Sequence, residues 1–227
     1  MNFDIFCEKL TDSGLCKVGF SFIGDLLPER LRAYPYAVTL MFRMSDAVLD
    51  DMDDSPTYAY FHHYRTANAL LDSCAVRAGE MLRREGARYF PIAASQSVHD
   101  QPDEYTGIFQ HKTAAVRAGL GWIGRSGLFV STEHGPRVRL ATVLTDMELP
   151  LPEKLAENGC ANCRKCAHAC PAGAITGELY VPGAERSTVV DAEKCSKFMK
   201  ARYMHIGRGS VCGRCMVVCP YGKRNSI

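Results

Sequence analysis

Apolar positions along the chain alternate between helical and strand periods. In FDIFCEKL, Phe3, Phe6, Cys7 and Leu10 recur at helical spacing, and Gly14 supplies a stop. KVGFSFI and YAVTLMF read as strands, the second almost wholly apolar and so predicted to be buried. An acidic loop with Asp46, Asp50, Asp51, Asp53 and Asp54 follows and reads as solvated surface. Ser55 and Pro56 form an N-cap and first-turn pair, and Tyr60, Tyr64, Leu71, Cys74, Ala78 and Met81 predict one long amphipathic helix to Arg84, with Gly86 beyond it. ARYFPIA predicts a short strand, residues 93–105 an irregular polar segment, and IFQHKTAAVRAG a helix. GLFVS and RVRLATVLT read as two strands around an EHGP turn. DMELPLPEKLAENG, with two prolines and four acids, reads as a linker. The pattern predicts an α/β domain over residues 1–147 and a second, cysteine-rich domain over 148–227.

Composition narrows the class. The chain has 227 residues, is 47% apolar and carries a net charge of +2, so a sizeable core is expected and no polyanionic partner is demanded. No apolar run reaches the length of a membrane span. The opening MNFDIFCEKL holds Asp4 and Glu8, unlike a secretory leader. A cytoplasmic protein without membrane association is expected.

Cysteine changes the picture most. Three of the 11 cysteines, Cys7, Cys16 and Cys74, are scattered and read as small buried hydrophobes. The other eight fall between Cys160 and Cys219. Cys160, Cys163, Cys166 and Cys170 make C-x2-C-x2-C-x3-C followed by Pro171, the bacterial ferredoxin run. Three thiolates at three-residue intervals wrap one iron–sulfur cube, and the fourth faces a second cube. A partner run is then required. Cys212, Cys215 and Cys219 before Pro220 repeat the offsets, with Gly209 where a fourth cysteine belongs, and Cys195 completes the set. Crossed pairing assigns Cys160, Cys163, Cys166 and Cys219 to one [4Fe-4S] cluster and Cys170, Cys195, Cys212 and Cys215 to the other. Structural zinc favours paired knuckles separated by a longer stretch, which this density does not match. His168, inside the first run, is expected to tune the cluster surroundings.

GLGWIG at 119–124 spells G-x-G-x-x-G, with Asp146 downstream, but a helical stretch precedes it and a strand follows, the reverse of a dinucleotide site. Two readings remain: a helix-ending turn with Trp122 in the core, or a turn on which a large flat cofactor lies.

RAGLGWIGRSGLFVS, VRLATVLTD and the two cysteine runs with Cys195 between them resemble the epoxyqueuosine reductase family, itself similar to reductive dehalogenases, from about Tyr36 to Cys219. The resemblance implies a nitroreductase-like α/β domain followed by a bacterial two-[4Fe-4S] ferredoxin-like domain. It implies an oxidoreductase in which an external donor of ferredoxin or flavodoxin type reduces the clusters and these reduce a cobalamin. Gly121, Trp122, Ile123, Gly124 and Arg125 are the corresponding cofactor-binding candidates. FMN is the alternative cofactor, and a corrinoid-free electron-transfer protein serving a partner is the alternative function. The family's DTGPVLER-like stretch is YTGIFQHK here, with Tyr105 in place of the proton-donating Asp and His111 in place of Glu, and its GWIGKN is GWIGRS. These departures and the short C-terminal region weigh against a tRNA epoxide without excluding tRNA, and leave a small-molecule or unidentified substrate. His111 and Tyr105 become the proton-donor candidates, from a neighbourhood that includes His99, Asp100, Asp103, Glu104 and Lys112. Of the adjacent His62 and His63, at most one can face a cofactor.

Overall fold

The structure is a computed structural model and describes residues 1–96, 98, 105–208 and 211–223. In chain order its elements are α1 (Phe3–Thr11), β1 (Lys17–Phe22), β2 (Tyr36–Arg43), α2 (Asp46–Asp50), α3 (Tyr58–Arg84), β3 (Tyr89–Ile92), α4 (His111–Arg117), β4 (Gly121–Ile123), β5 (Phe129–Ser131), β6 (Val138–Thr145), α5 (Lys165–His168), α6 (Ala192–Tyr203) and α7 (Arg214–Val217). They group into two compact units that interleave along the chain: residues 1–43, 66–120 and 139–156, and residues 44–65, 121–138 and 157–227. The domains read from the sequence are consecutive. The compact units differ from them because residues 44–65 and 121–138 group with the cysteine-rich segment.

The first unit is built on a four-stranded sheet in the order β1-β2-β6-β3, with β1–β2 and β3–β6 antiparallel. Strand alternation sends side chains to opposite faces. One face packs Val38, Leu40, Ala141 and Val143 against Phe6 and Leu10 of α1 and Leu71, Cys74, Ala78 and Leu82 of α3. The other gathers Ala37, Leu144 and Ile92 with Ala114 of α4 and with Ile23, Leu27 and Leu31. This double burial explains why β2 is almost wholly apolar. Asn2 caps α1, its side-chain oxygen accepting from the backbone N–H groups of Asp4 and Ile5. The start of α3 corrects the expectation for Ser55: Thr57 Oγ1 accepts from Tyr60 N–H at 3.1 Å, so Thr57 is the cap. The proline-rich linker is packed rather than loose. Leu149 is buried, and a side chain at Gly119 would meet the Lys154 carbonyl at 2.8 Å. Of the scattered cysteines, Cys74 is buried in the core, Cys7 packs against it, and the Cys16 thiol donates to the Met41 carbonyl.

In the second unit, β4 pairs antiparallel with β5, Trp122 opposite Val130. The helix-ending reading of the glycine motif holds for its first half: Gly119, at φ 72°, closes α4 with its N–H donating to the Val116 carbonyl, and Trp122 is buried. Its second half is the strand β4, and one expectation is corrected here, because β5 pairs with β4 rather than with β6. Gly121 is required at this pairing, because a Cβ there would lie 2.0 Å from the Val130 carbonyl oxygen. The acidic loop is also not merely solvated. Asp46 and Asp50 accept from the Arg137 guanidinium at 2.9 and 2.6 Å, and Arg137 is 1% exposed. Asp54 pairs with Arg214 at 2.9 Å, and the Asp53 carbonyl accepts from the same guanidinium.

Candidate metal centre

The cysteine-rich segment alternates short helical turns with loops. Cys160 and Cys163 precede α5, Cys166 lies in it and Cys170 follows it; Cys195 lies in α6, Cys215 in α7, and Cys219 after α7. α6 forms where Asp191 caps it, accepting from Lys194 N–H at 2.8 Å. α7 starts at Gly213, which adopts a left-handed φ of 71° with no room for a side chain beside Tyr60 and Met52. Tyr60 thus belongs to the support of the second run.

Cys160, Cys163, Cys166 and Cys219 line a single cavity, together with Gly124, Arg125, Lys165 and Tyr221. Cys215 reaches the same cavity. The other thiols are linked by their charges. Burial pushes Cys195 up to about 11, and Cys170 and Cys212 push in the same direction. Cys215 is raised further, by burial first and then by Cys212, Cys195 and Cys170. Burial raises Cys219 too, with Cys160 and Cys166 adding to it. Thiols raised by one another's charge are poor thiolates until cations arrive, and a metal would displace their protons. Ala174 N–H already donates to Cys170 Sγ at 3.3 Å, the kind of bond that offsets thiolate charge. Among the described residues, no three His, Cys, Asp or Glu side chains close on a point tightly enough for a lone metal ion. Gly209 and Ser210 lie outside the described residues.

The residues read as a cofactor turn serve this centre. Gly121, Trp122 and Ile123 are buried in the hairpin. A Cβ on Gly124 would meet Val130 at 2.9 Å and Cys160 Sγ at 3.3 Å. Arg125 donates to the carbonyls of Ala161 and Gly177. At Gly121 and Gly124 the room a side chain would need is taken by Val130, Phe129 and Cys160. The Trp122 indole stands edge-on to Tyr221, ring centres 5.0 Å apart, and its buried N–H meets no acceptor among the described residues.

The proton-donor candidates lie elsewhere. His111 is in the first unit, where Nδ1 meets Thr142 Oγ1 and Nε2 meets the Ala93 carbonyl, each at 2.9 Å. Because a carbonyl only accepts, Nε2 carries the proton and Nδ1 accepts from Thr142. Burial lowers the imidazole to about 4, so it is neutral, and its one N–H is held by the Ala93 carbonyl. Tyr105 is half-buried, with its own contacts. His99, Asp100, Asp103 and Glu104 lie outside the described residues. His63 Nε2 accepts from Ser45 N–H at 2.9 Å, whereas His62 is exposed. His168 is exposed.

Sequence reasoning missed two residues at the centre. Asn158 donates to the Ile123 carbonyl and accepts from Cys160 N–H, clipping hairpin to cysteine run. Tyr221 donates to the Gly159 carbonyl at 2.6 Å. Asn-Gly reads as a turn and Tyr221 as a residue past the last cysteine, so neither carried a signal.

Residues 159–222 match the family of 4Fe-4S double cluster binding domains, a match that supports two [4Fe-4S] clusters on this segment. The chain as a whole is similar to two kinds of reductase. It is 27% identical to an epoxyqueuosine reductase of Vibrio cholerae over 88% of this chain and 52% of that protein. It is 40% identical to a tetrachloroethene reductive dehalogenase of Desulfitobacterium hafniense over 48% of this chain and 21% of that protein. The chain therefore spans about half the length of the former and a fifth of the latter. Its fold is shared with a catabolic reductive dehalogenase (TM-score 0.74, 21% identity, 97% of this chain and 32% of the other). It is shared also with an epoxyqueuosine reductase (TM-score 0.66, 19% identity, 99% of this chain and 66% of the other). No helix among the described residues is long and apolar enough to cross a membrane.

Proposed function

We propose that this protein is an iron–sulfur oxidoreductase that relays single electrons through two [4Fe-4S] clusters, one on Cys160, Cys163, Cys166 and Cys219 and one on Cys170, Cys195, Cys212 and Cys215. The observation that carries it is the meeting of Cys219, from the second run, with the three leading cysteines of the first around one cavity. An external donor of ferredoxin or flavodoxin type supplies the electrons. The similarity to both reductases supports a reduction; a small-molecule or unidentified substrate and a cytoplasmic setting are part of this proposal. A solved relative is titled for B12-dependent dehalogenation and another is a complex with a tRNA stem loop. Cobalamin as the electron acceptor rests on that likeness and on a nitroreductase-like character of the first unit. When bound it would supply the two-electron chemistry at the substrate. Gly121, Trp122, Ile123, Gly124 and Arg125 are the residues that the family resemblance puts beside it.

A second reading, a corrinoid-free electron-transfer protein, is favoured by Tyr105 standing where the resemblance expects a proton-donating acid. One experiment separates the readings. Protein purified without oxygen and reconstituted with iron and sulfide is titrated with cob(II)alamin and with FMN while EPR and visible spectra are followed. Tight retention of cobalamin with an altered cobalt signal is the expected result. Intact cluster signals with no response to either cofactor would leave only the electron-transfer reading. Protein that loads zinc in preference to iron would overturn both.

A further inference from the structure

Arg125 is 7% exposed, and a guanidinium keeps its charge at any pH a protein survives. A buried charge is costly unless an opposite charge meets it. Among the described residues, the hydrogen bonds of Arg125 go to two neutral groups, the carbonyls of Ala161 and Gly177. None of these contacts is to a carboxylate. Ala161 lies between Cys160 and Cys163 and has a left-handed φ of 41°, uncommon for a residue with a side chain. Nε and Nη2 both hold its carbonyl, so Arg125 fixes the backbone where the run turns between two thiols. The guanidinium also lines the cavity shared by Cys160, Cys163, Cys166 and Cys219. Four thiolates on a cube of four irons make an anion in either oxidation state, and reduction adds one more negative charge. The missing countercharge of Arg125 is that anion.

We infer that Arg125 is a positioning residue that raises the reduction potential of the cluster on Cys160, Cys163, Cys166 and Cys219. Its fixed positive charge stabilises the reduced cube more than the oxidised one. An electron shared between the two clusters is thereby biased toward the β4–β5 hairpin. The inference rests on the two-cluster reading proposed above. Lys165 is the other cation lining the cavity, but it is exposed, so water and salt screen it.

The test is an EPR-monitored redox titration of the full, iron-loaded chain, without added cobalamin, for wild type, R125K, R125Q and K165Q. R125Q is expected to lower the midpoint of one cluster and leave the other in place. The expected size is at least a tenfold fall in the reduced-to-oxidised ratio at a fixed potential, or 59 mV for one electron. R125K is expected to keep the ratio within threefold of wild type. K165Q should move it less than threefold, and less still in high salt. Unchanged midpoints in iron-loaded R125Q would overturn the inference, as would an R125K shift as large as that of R125Q. If R125Q fails to hold the first cluster, R125K decides: full iron and a near-native midpoint sustain the role of charge, and loss of the cluster reduces Arg125 to a brace. Wild-type protein that takes up no iron overturns the two-cluster reading itself, which is distinct from unmoved potentials in loaded protein.

Discussion

His111 shows how far a residue's chemistry depends on what surrounds it. In the sequence it stands in the stretch YTGIFQHK ahead of the glycine motif, and it invites a role in proton transfer. In the fold it is a strut between α4, β6 and Ala93, with both nitrogens engaged. Its folded value of about 4 lies below the unfolded value of 6.5. The unfolded state therefore binds more protons between these limits, and the stability His111 contributes is full above pH 6.5 and lost as pH falls toward 4. The loss is at most about 3 kcal/mol, from 1.36 kcal/mol per unit. Urea unfolding of wild type and H111Q at pH 7.5 and pH 5 should show a steeper loss in wild type; equal slopes would remove His111 from the pH response. Gly124 makes the converse point. Nothing in GWIG says that a cysteine sulfur of the next run lies against its α-carbon. G124A should cost about 1–3 kcal/mol by overpacking and lower iron retention, since Val130 and Cys160 must both yield. Thermal melting with iron analysis measures both effects.

Among the elements, those with a long period were legible and those made by pairing were not. α1, α3 and β2 announced themselves through apolar spacing over six or more residues. β4 has three residues, too few for any period, and exists because β5 pairs with it. The cap of α3 was displaced by two residues because Ser-Pro and Thr57 offer competing starts, and only the bond from Tyr60 N–H decides. T57A should destabilise the protein by about 1 kcal/mol in chemical denaturation. The acidic loop was misread for a similar reason: its partner, Arg137, is some ninety residues away. Neutralising both Asp46 and Asp50 strands a buried guanidinium. D46N/D50N should cost about 3 kcal/mol, the low end for breaking a buried pair because both carboxylates are partly wet. A melting point within a degree of wild type would show that Arg137 is held by packing alone.

At the scale of the molecule, the cysteine spacing was the most informative feature of the sequence, because cluster ligation leaves little freedom in the offsets. What the spacing does not record is the support around the runs. Residues 44–65 and 121–138 group with the cysteine-rich segment although they lie far from it in the chain. The crossed ligand sets predict complementary losses. C195A should fall from about eight irons per chain to about four, with one EPR signal gone. C219A should lose the same amount of iron and the other signal. Two variants that erase the same signal would refute the crossed assignment.

Because Cys219 stands in the same cavity wall as Cys160, that wall is unfinished while the ribosome is still adding residues 161 to 218. The N-terminal portion of a chain begins to fold during its synthesis. Iron delivered at that stage would find three thiols of the first quartet and no fourth. On the crossed assignment proposed above, that quartet would be complete only once translation has passed residue 219, so a chain halted on the ribosome before that point should lack the first cluster's EPR signal even when iron and sulfide are supplied.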